Sequence, residues 1–153
     1  MRTRLTPTLT ALTAALLLAA PAAAFDHDHG AFDALLEAHV RDGVVDYGAL
    51  AAQRADLDAY LATLENADIG SFTNDQSIAF WINAYNALTL ASLLDHPGVA
   101  SIRDIEGVWD TRRHTVAGAE LTLNDIEHTI LRRKYREPLI HMVLVCAAKS
   151  CPA

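Results

Sequence analysis

The sequence predicts an α+β fold, mostly helical, with a small antiparallel sheet around one buried central helix. Two observations carry that expectation. In the run Phe80–Leu94 and just before it, Ile78, Trp81, Ile82, Tyr85 and Leu88 make one apolar stripe at helical period, while Phe80, Ala84, Ala87, Ala91 and Leu94 make a second. A helix that is apolar nearly all round is buried rather than laid on a surface. The run reads as too short and too polar to span a bilayer, which takes about 20 apolar residues. Later, residues 112–116 and 120–123 flank Ala117-Gly118-Ala119, the pattern of a hairpin with glycine in its turn.

The 153 residues suffice for one domain. Arg2 and Arg4, the apolar stretch from Ala11 to Ala20 and the small residues Ala22 and Ala24 have the order of an export signal. Residues 1–24 are therefore expected to be removed, with 25–43 an N-terminal helix region and 44–153 the main domain. Cleavage takes two of the 12 basic residues and none of the 19 acidic ones, moving the net charge from −7 to −9. That balance speaks against nucleic acid and anionic membrane surfaces as partners, and it identifies no partner. A periplasmic or secreted location is expected, with no membrane span after cleavage, in a compartment where disulfides can form.

Taken in order, residues 25–30 read as a frayed polar tail. A mature chain beginning Phe25-Asp26-His27 would place a free amine, two amides and the His27 imidazole around one ion in a square plane, a geometry suited to Cu(II) or Ni(II). Residues 31–40 read as a helix stopped at Gly43. Residues 44–47 read as a short extended piece, and residues 50–64 as one helix. Thr73 followed by Gln76 is a capping-box pattern opening the central helix, which His96-Pro97-Gly98 ends. Thr122 and Asp125 repeat that pattern before a helix over residues 124–134, with Ile126, Ile130 and Leu131 inward. The continuous apolar run 139–146 reads as a core strand, exposed as an unprotected sheet edge.

Candidate chemistry clusters late. Asn83 and Asn86, three residues apart on the central helix, share a face; they either bond nearby loop backbone or frame a site together with His128. Glu127 is expected to flank the inward residues and His141 to lie inside the strand. Cys151 stands before Pro152, a residue favoured at the first position of a helix. Backbone N–H groups there would favour a thiolate. Cys151 as nucleophile, His141 as base and Glu127 as orienting carboxylate are the parts of a nucleophilic site. Cys146 and Cys151, the only cysteines, with four residues between them, are also compatible with a disulfide. The spacing lacks the paired ligands of a zinc site, and no cofactor is called for.

The runs Ala79–Leu88 (A-F-W-I-N-A-Y-N-A-L), Leu123–His128 and Ile140–Pro152, the last containing C-A-A-K-S-C-P, together with Val45-Asp46-Tyr47 and Val116-Ala117-Gly118, resemble the DUF547 family, a domain of unknown function. The resemblance runs from about Val44 to the end. It implies that the domain continues beyond the S-C-P run, so that 44–153 is C-terminally incomplete. It implies kinship without a reaction. The residues themselves leave two readings: a thiol-dependent hydrolase or acyl-transfer enzyme, or a non-catalytic envelope interaction module with Cys146 and Cys151 bridged.

Overall fold

The computed structural model describes residues 24–145 and 147. At its centre is α4 (Asn74–Leu94), opened by a full capping box. The Gln76 amide donates to the Thr73 hydroxyl at 3.2 Å, and the Thr73 amide donates to the Gln76 side chain at 2.9 Å. Two orphan donors of the first turn are thereby satisfied. Phe80, Trp81, Ala84, Tyr85 and all of residues 87–92 are buried. The buried hydroxyls of Thr89 and Ser92 donate back to the Tyr85 and Leu88 carbonyls at 2.8 Å, so neither costs an unmade hydrogen bond. With 21 residues, α4 is long and apolar enough to cross a membrane, contrary to the expectation from the shorter run. Its burial inside this fold is what makes it a core helix.

α1 (Gly30–His39) packs on α3 (Arg54–Glu65), which packs on α4. The rings of Phe32 and Tyr60 stack at 4.9 Å across the first contact. The expected single helix over 50–64 is two helices. α2 (Tyr47–Ala52) starts early because the Asp46 side chain accepts from the Ala49 amide at 2.9 Å. Gln53 then leaves the helix, and its side chain meets the His39 ring at 3.0 Å.

The sheet is two separate antiparallel pairs. β1 (Val40–Arg41) and β2 (Val44–Val45) join through Asp42 and Gly43. β3 (His114–Val116) and β4 (Ala119–Leu121) join through Ala117 and Gly118, with φ of 50° and 73°. Positive φ at both central residues is the hairpin turn whose twist matches the strands. The amides of Ala117 and Gly118 donate to the Leu64 and Glu65 carbonyls at 2.8 and 2.9 Å. The hairpin turn therefore caps the C-terminus of α3, whose last carbonyls have no partner within the helix.

The helix expected over 124–134 is a π-helix over Asp125–Lys134, entered through the expected Thr122–Asp125 capping pair, with both bonds at 3.0 Å. Over its described residues, 139–145, the apolar run is not a strand. Residues Ile140–Met142 form a 3-10 turn, and the Met142 and Val143 amides bond the Leu139 and Ile140 carbonyls at 2.8 and 3.1 Å. Part of its backbone is satisfied locally and part by the Asn86 side chain, and neither two-stranded sheet includes it. Ile140 and Leu144 are buried, while Leu139, Met142 and Val143 are exposed. The expected aggregating strand edge is absent among the described residues.

The N-terminal segment is packed, not frayed. Phe25 meets Phe72 and Phe80 at 5.2 and 5.4 Å, and His27 sits edge-on to Phe72 at 4.5 Å. Buried His29 bonds the Tyr60 hydroxyl at 2.7 Å through Nδ1, and its Nε2 has no hydrogen-bond partner. Burial holds the His29 pKa below 6.5, with His27 adding to the effect and Asp26 and Asp28 opposing it. Burial, then the Arg112 charge, lowers His114 likewise, against Asp95 and Glu120. Both groups bind their protons more weakly folded than unfolded. The stability they contribute is complete above pH 6.5 and is lost as pH falls through the folded values. Urea midpoints are expected to fall between pH 7.5 and pH 5, less steeply in His114→Gln. A wild-type midpoint unchanged over that interval would contradict this.

Candidate site around Glu127

The π-helix places Ile126 and Glu127 inward and His128 outward. Glu127 is only 8% exposed. Its Oε1 accepts from Arg132 Nη2 at 2.9 Å. Residues five apart do not face one another on an α-helix, whereas the i→i+5 bonding of a π-helix aligns them. The widened helix thus supplies a guanidinium to a carboxylate that would otherwise be buried alone, a costly arrangement.

Two imidazoles approach the same oxygen: His141 Nδ1 at 3.8 Å and His128 Nδ1 at 3.9 Å. Both distances suit charge attraction and exceed a hydrogen bond. His141 was expected inside a strand; it stands on the 3-10 turn with its side chain 67% exposed, because Ile140 takes the inward position. Tyr85 of α4 lies beneath. Burial, then the Glu127 charge, pushes its hydroxyl up to about 12, against a hydrogen bond with Trp109. The Tyr85 proton therefore stays on at neutral pH.

Asn86 anchors the segment that follows His141. Its side-chain amide donates to the Val143 carbonyl at 3.1 Å, and its side-chain oxygen accepts from the Val145 amide at 2.9 Å. Asn83 does not join; it donates to the Ala79 carbonyl of its own helix at 3.0 Å. Glu127, His128 and His141 thus meet at one carboxylate oxygen, Asn86 holds the segment that follows His141, and Asn83 takes no part. Cys146, Cys151 and residues 1–23 of the expected leader 1–24 lie outside the described residues. The free amine that a metal at His27 needs exists only once the chain is cut before Phe25; the half-buried His27 ring packs on Phe25 and Phe72, and its Nδ1 is buried without a partner. Among the described residues, no group of three or more metal-ligating side chains is suited to hold an ion.

The sequence reading missed Arg132, Tyr85 and Trp109. Arg132 is five residues from Glu127, a spacing that carries no signal unless the helix is π. Tyr85 reads as one more member of an apolar stripe.

Chemically, the arrangement holds a carboxylate in place, shields it on the α4 side and offers its open edge to an imidazole. Glu127 can fix the proton of His141 on Nδ1, leaving Nε2 free to accept another.

A family model described as "Protein of unknown function, DUF547" matches residues 69–153. That range holds α4, the second hairpin, the π-helix and the site. No curated protein and no solved structure matches the chain.

Proposed function

Because the chain belongs to the DUF547 family, whose description assigns no function, we propose one from its own side chains: an exported thiol-dependent enzyme of hydrolase or acyl-transfer type. Cys151 is the nucleophile, His141 the base and Glu127 the carboxylate that orients it. The observation that carries this reading is the buried Glu127, held by Arg132 at 2.9 Å, with His141 Nδ1 3.8 Å from the same oxygen. Distances of this kind tighten when substrate closes a site. His141 Nε2 takes the Cys151 proton, and the sulfur bonds the substrate's carbonyl carbon. The leaving group departs with the proton from His141, and water or an acceptor then releases the acyl group. Asn86 positions the chain from Val143 to Val145, next to Cys146. Export rests on the leader pattern of residues 1–24.

The exposure of the His141 ring favours the second reading, a non-catalytic envelope interaction module with Cys146 and Cys151 bridged. Intact mass of the oxidised protein separates the two. The enzyme reading expects no change on reduction; a gain of about 2 Da assigns the bridge.

A further inference from the structure

The end of the π-helix departs from the acidic character of the chain. Arg132, Arg133, Lys134 and Arg136 fall within five residues, and between residues 128 and 145 the only acid is Glu137. Arg132 is committed to Glu127. Arg133, Lys134 and Arg136 are exposed, and among the described residues none of them is ion-paired; Lys134 lies over the Tyr135 ring at 5.1 Å.

Immediately after them come Leu139, 70% exposed, and Met142, 64% exposed, with Val143 at 45%. The Met142 amide bonds the Leu139 carbonyl at 2.8 Å. Three residues apart on a 3-10 turn, the two side chains lie one above the other. Buried Ile140 holds the turn to the core.

Arg136 adds a separate indication. Its φ of 55° is left-handed, at the position after a helix end where glycine is usual. The Tyr135 amide bonds the Ile130 carbonyl at 3.1 Å and the Glu137 amide the Leu131 carbonyl at 3.3 Å, closing the cap around it. Cations at a helix C-terminus are favourable in themselves, but that requires neither a strained arginine beyond the end nor adjacent exposed apolar side chains. An unfavourable conformation kept at a site points to a role for the side chain it carries.

We propose that this surface docks on an anionic phospholipid bilayer, with Arg133, Lys134 and Arg136 on the headgroups and Leu139 and Met142 inserted at the acyl boundary. Cations beside apolar residues at one surface are the combination that interfacial lipid binding uses. A nucleic acid has no use for the apolar pair, and a second copy meeting the patch about a two-fold axis would set cation against cation. The whole-chain charge, which alone speaks against such a surface, averages this patch away.

The test is co-sedimentation of the full chain with phosphatidylcholine vesicles, with and without phosphatidylglycerol. The N-terminal leader is common to all variants, so the comparison between them isolates the patch. Each removed charge is expected to weaken partition to the anionic vesicles about fivefold, so Arg133→Gln/Lys134→Gln/Arg136→Gly loses about a hundredfold. Leu139→Ser/Met142→Ser loses about tenfold, and added salt weakens the wild type. Arg136→Gly alone loses about fivefold while its melting temperature rises, because the backbone strain goes with the charge; this keeps the test valid should the triple variant fail to fold. Variants that melt cooperatively yet sediment like the wild type would overturn the proposal. So would variants that sediment like the wild type but lose a concentration-dependent dimer, which would assign the surface to a second copy.

Discussion

Phe80→Ala is expected to lower the unfolding free energy by about 3–5 kcal/mol, out of the roughly 5–15 kcal/mol that a domain commands. Phe80 is fully buried on α4. Its ring meets Trp81 at 5.1 Å, Phe25 at 5.4 Å and Phe72 at 5.8 Å, each edge-on. Alanine removes the ring from all three contacts at once. The cavity cannot collapse easily, because its walls are themselves rings fixed by their neighbours. Phe25 also loses an anchor, so hydrogen exchange over residues 25–29 should quicken. Phe80→Leu keeps most of the volume and should cost less than about 1.5 kcal/mol. Urea titration reads both; an alanine loss no larger than the leucine loss would contradict the account.

Asn86→Ala is expected to cost about 2–3 kcal/mol. The side chain makes two hydrogen bonds to backbone 57 and 59 residues away. Each is worth about 1 kcal/mol net, and a peptide group left without a partner adds about 1–3 kcal/mol where water cannot reach it. Asn86 is half-buried, so water restores part of this, and the lower end of the range applies. Asn86→Asp keeps the acceptor for the Val145 amide and loses the donor to Val143, so it should cost about half as much. The local readout is faster exchange of the Val145 amide in Asn86→Ala. Unchanged exchange there would mean that Asn86 does not hold the segment.

Where a structure is fixed by neighbours in sequence, the sequence displayed it. The two capping pairs, Thr73 with Gln76 and Thr122 with Asp125, formed as their spacing implied, and Ala117-Gly118 made the hairpin turn. The all-round apolar run was the central helix. The helix over residues 50–64 was broken because Asp46 captured an amide upstream and Gln53 found a partner in α1, a contact with no local trace. The run 139–146 was apolar enough for a strand, but an apolar run does not reveal whether a partner strand exists; here Ile140 and Leu144 reach the core from a turn. The same error placed His141 inside, when the inward position belonged to Ile140.

The site was legible in part. Glu127 was expected on the flank of the inward residues, and it lies deeper than that, buried beside Ile126. Its guanidinium partner was invisible because Arg132 faces it only if hydrogen bonds run to the fifth residue. Asn86 was expected either to bond loop backbone or to frame the site. It bonds loop backbone, and that loop is the one that follows His141.

The central claim is that His141, oriented by Glu127, activates Cys151. An ordinary thiol with a pKa near 8.5 is about one part in 300 thiolate at pH 6. The measurement is the rate of iodoacetamide addition at Cys151, followed by mass spectrometry from pH 5 to pH 9 and compared with an unstructured cysteine peptide. The account expects Cys151 to react at least about tenfold faster than the peptide at pH 6, with that advantage lost in His141→Ala. A Cys151 that reacts no faster than the peptide at pH 6, or equally fast with and without His141, would contradict it.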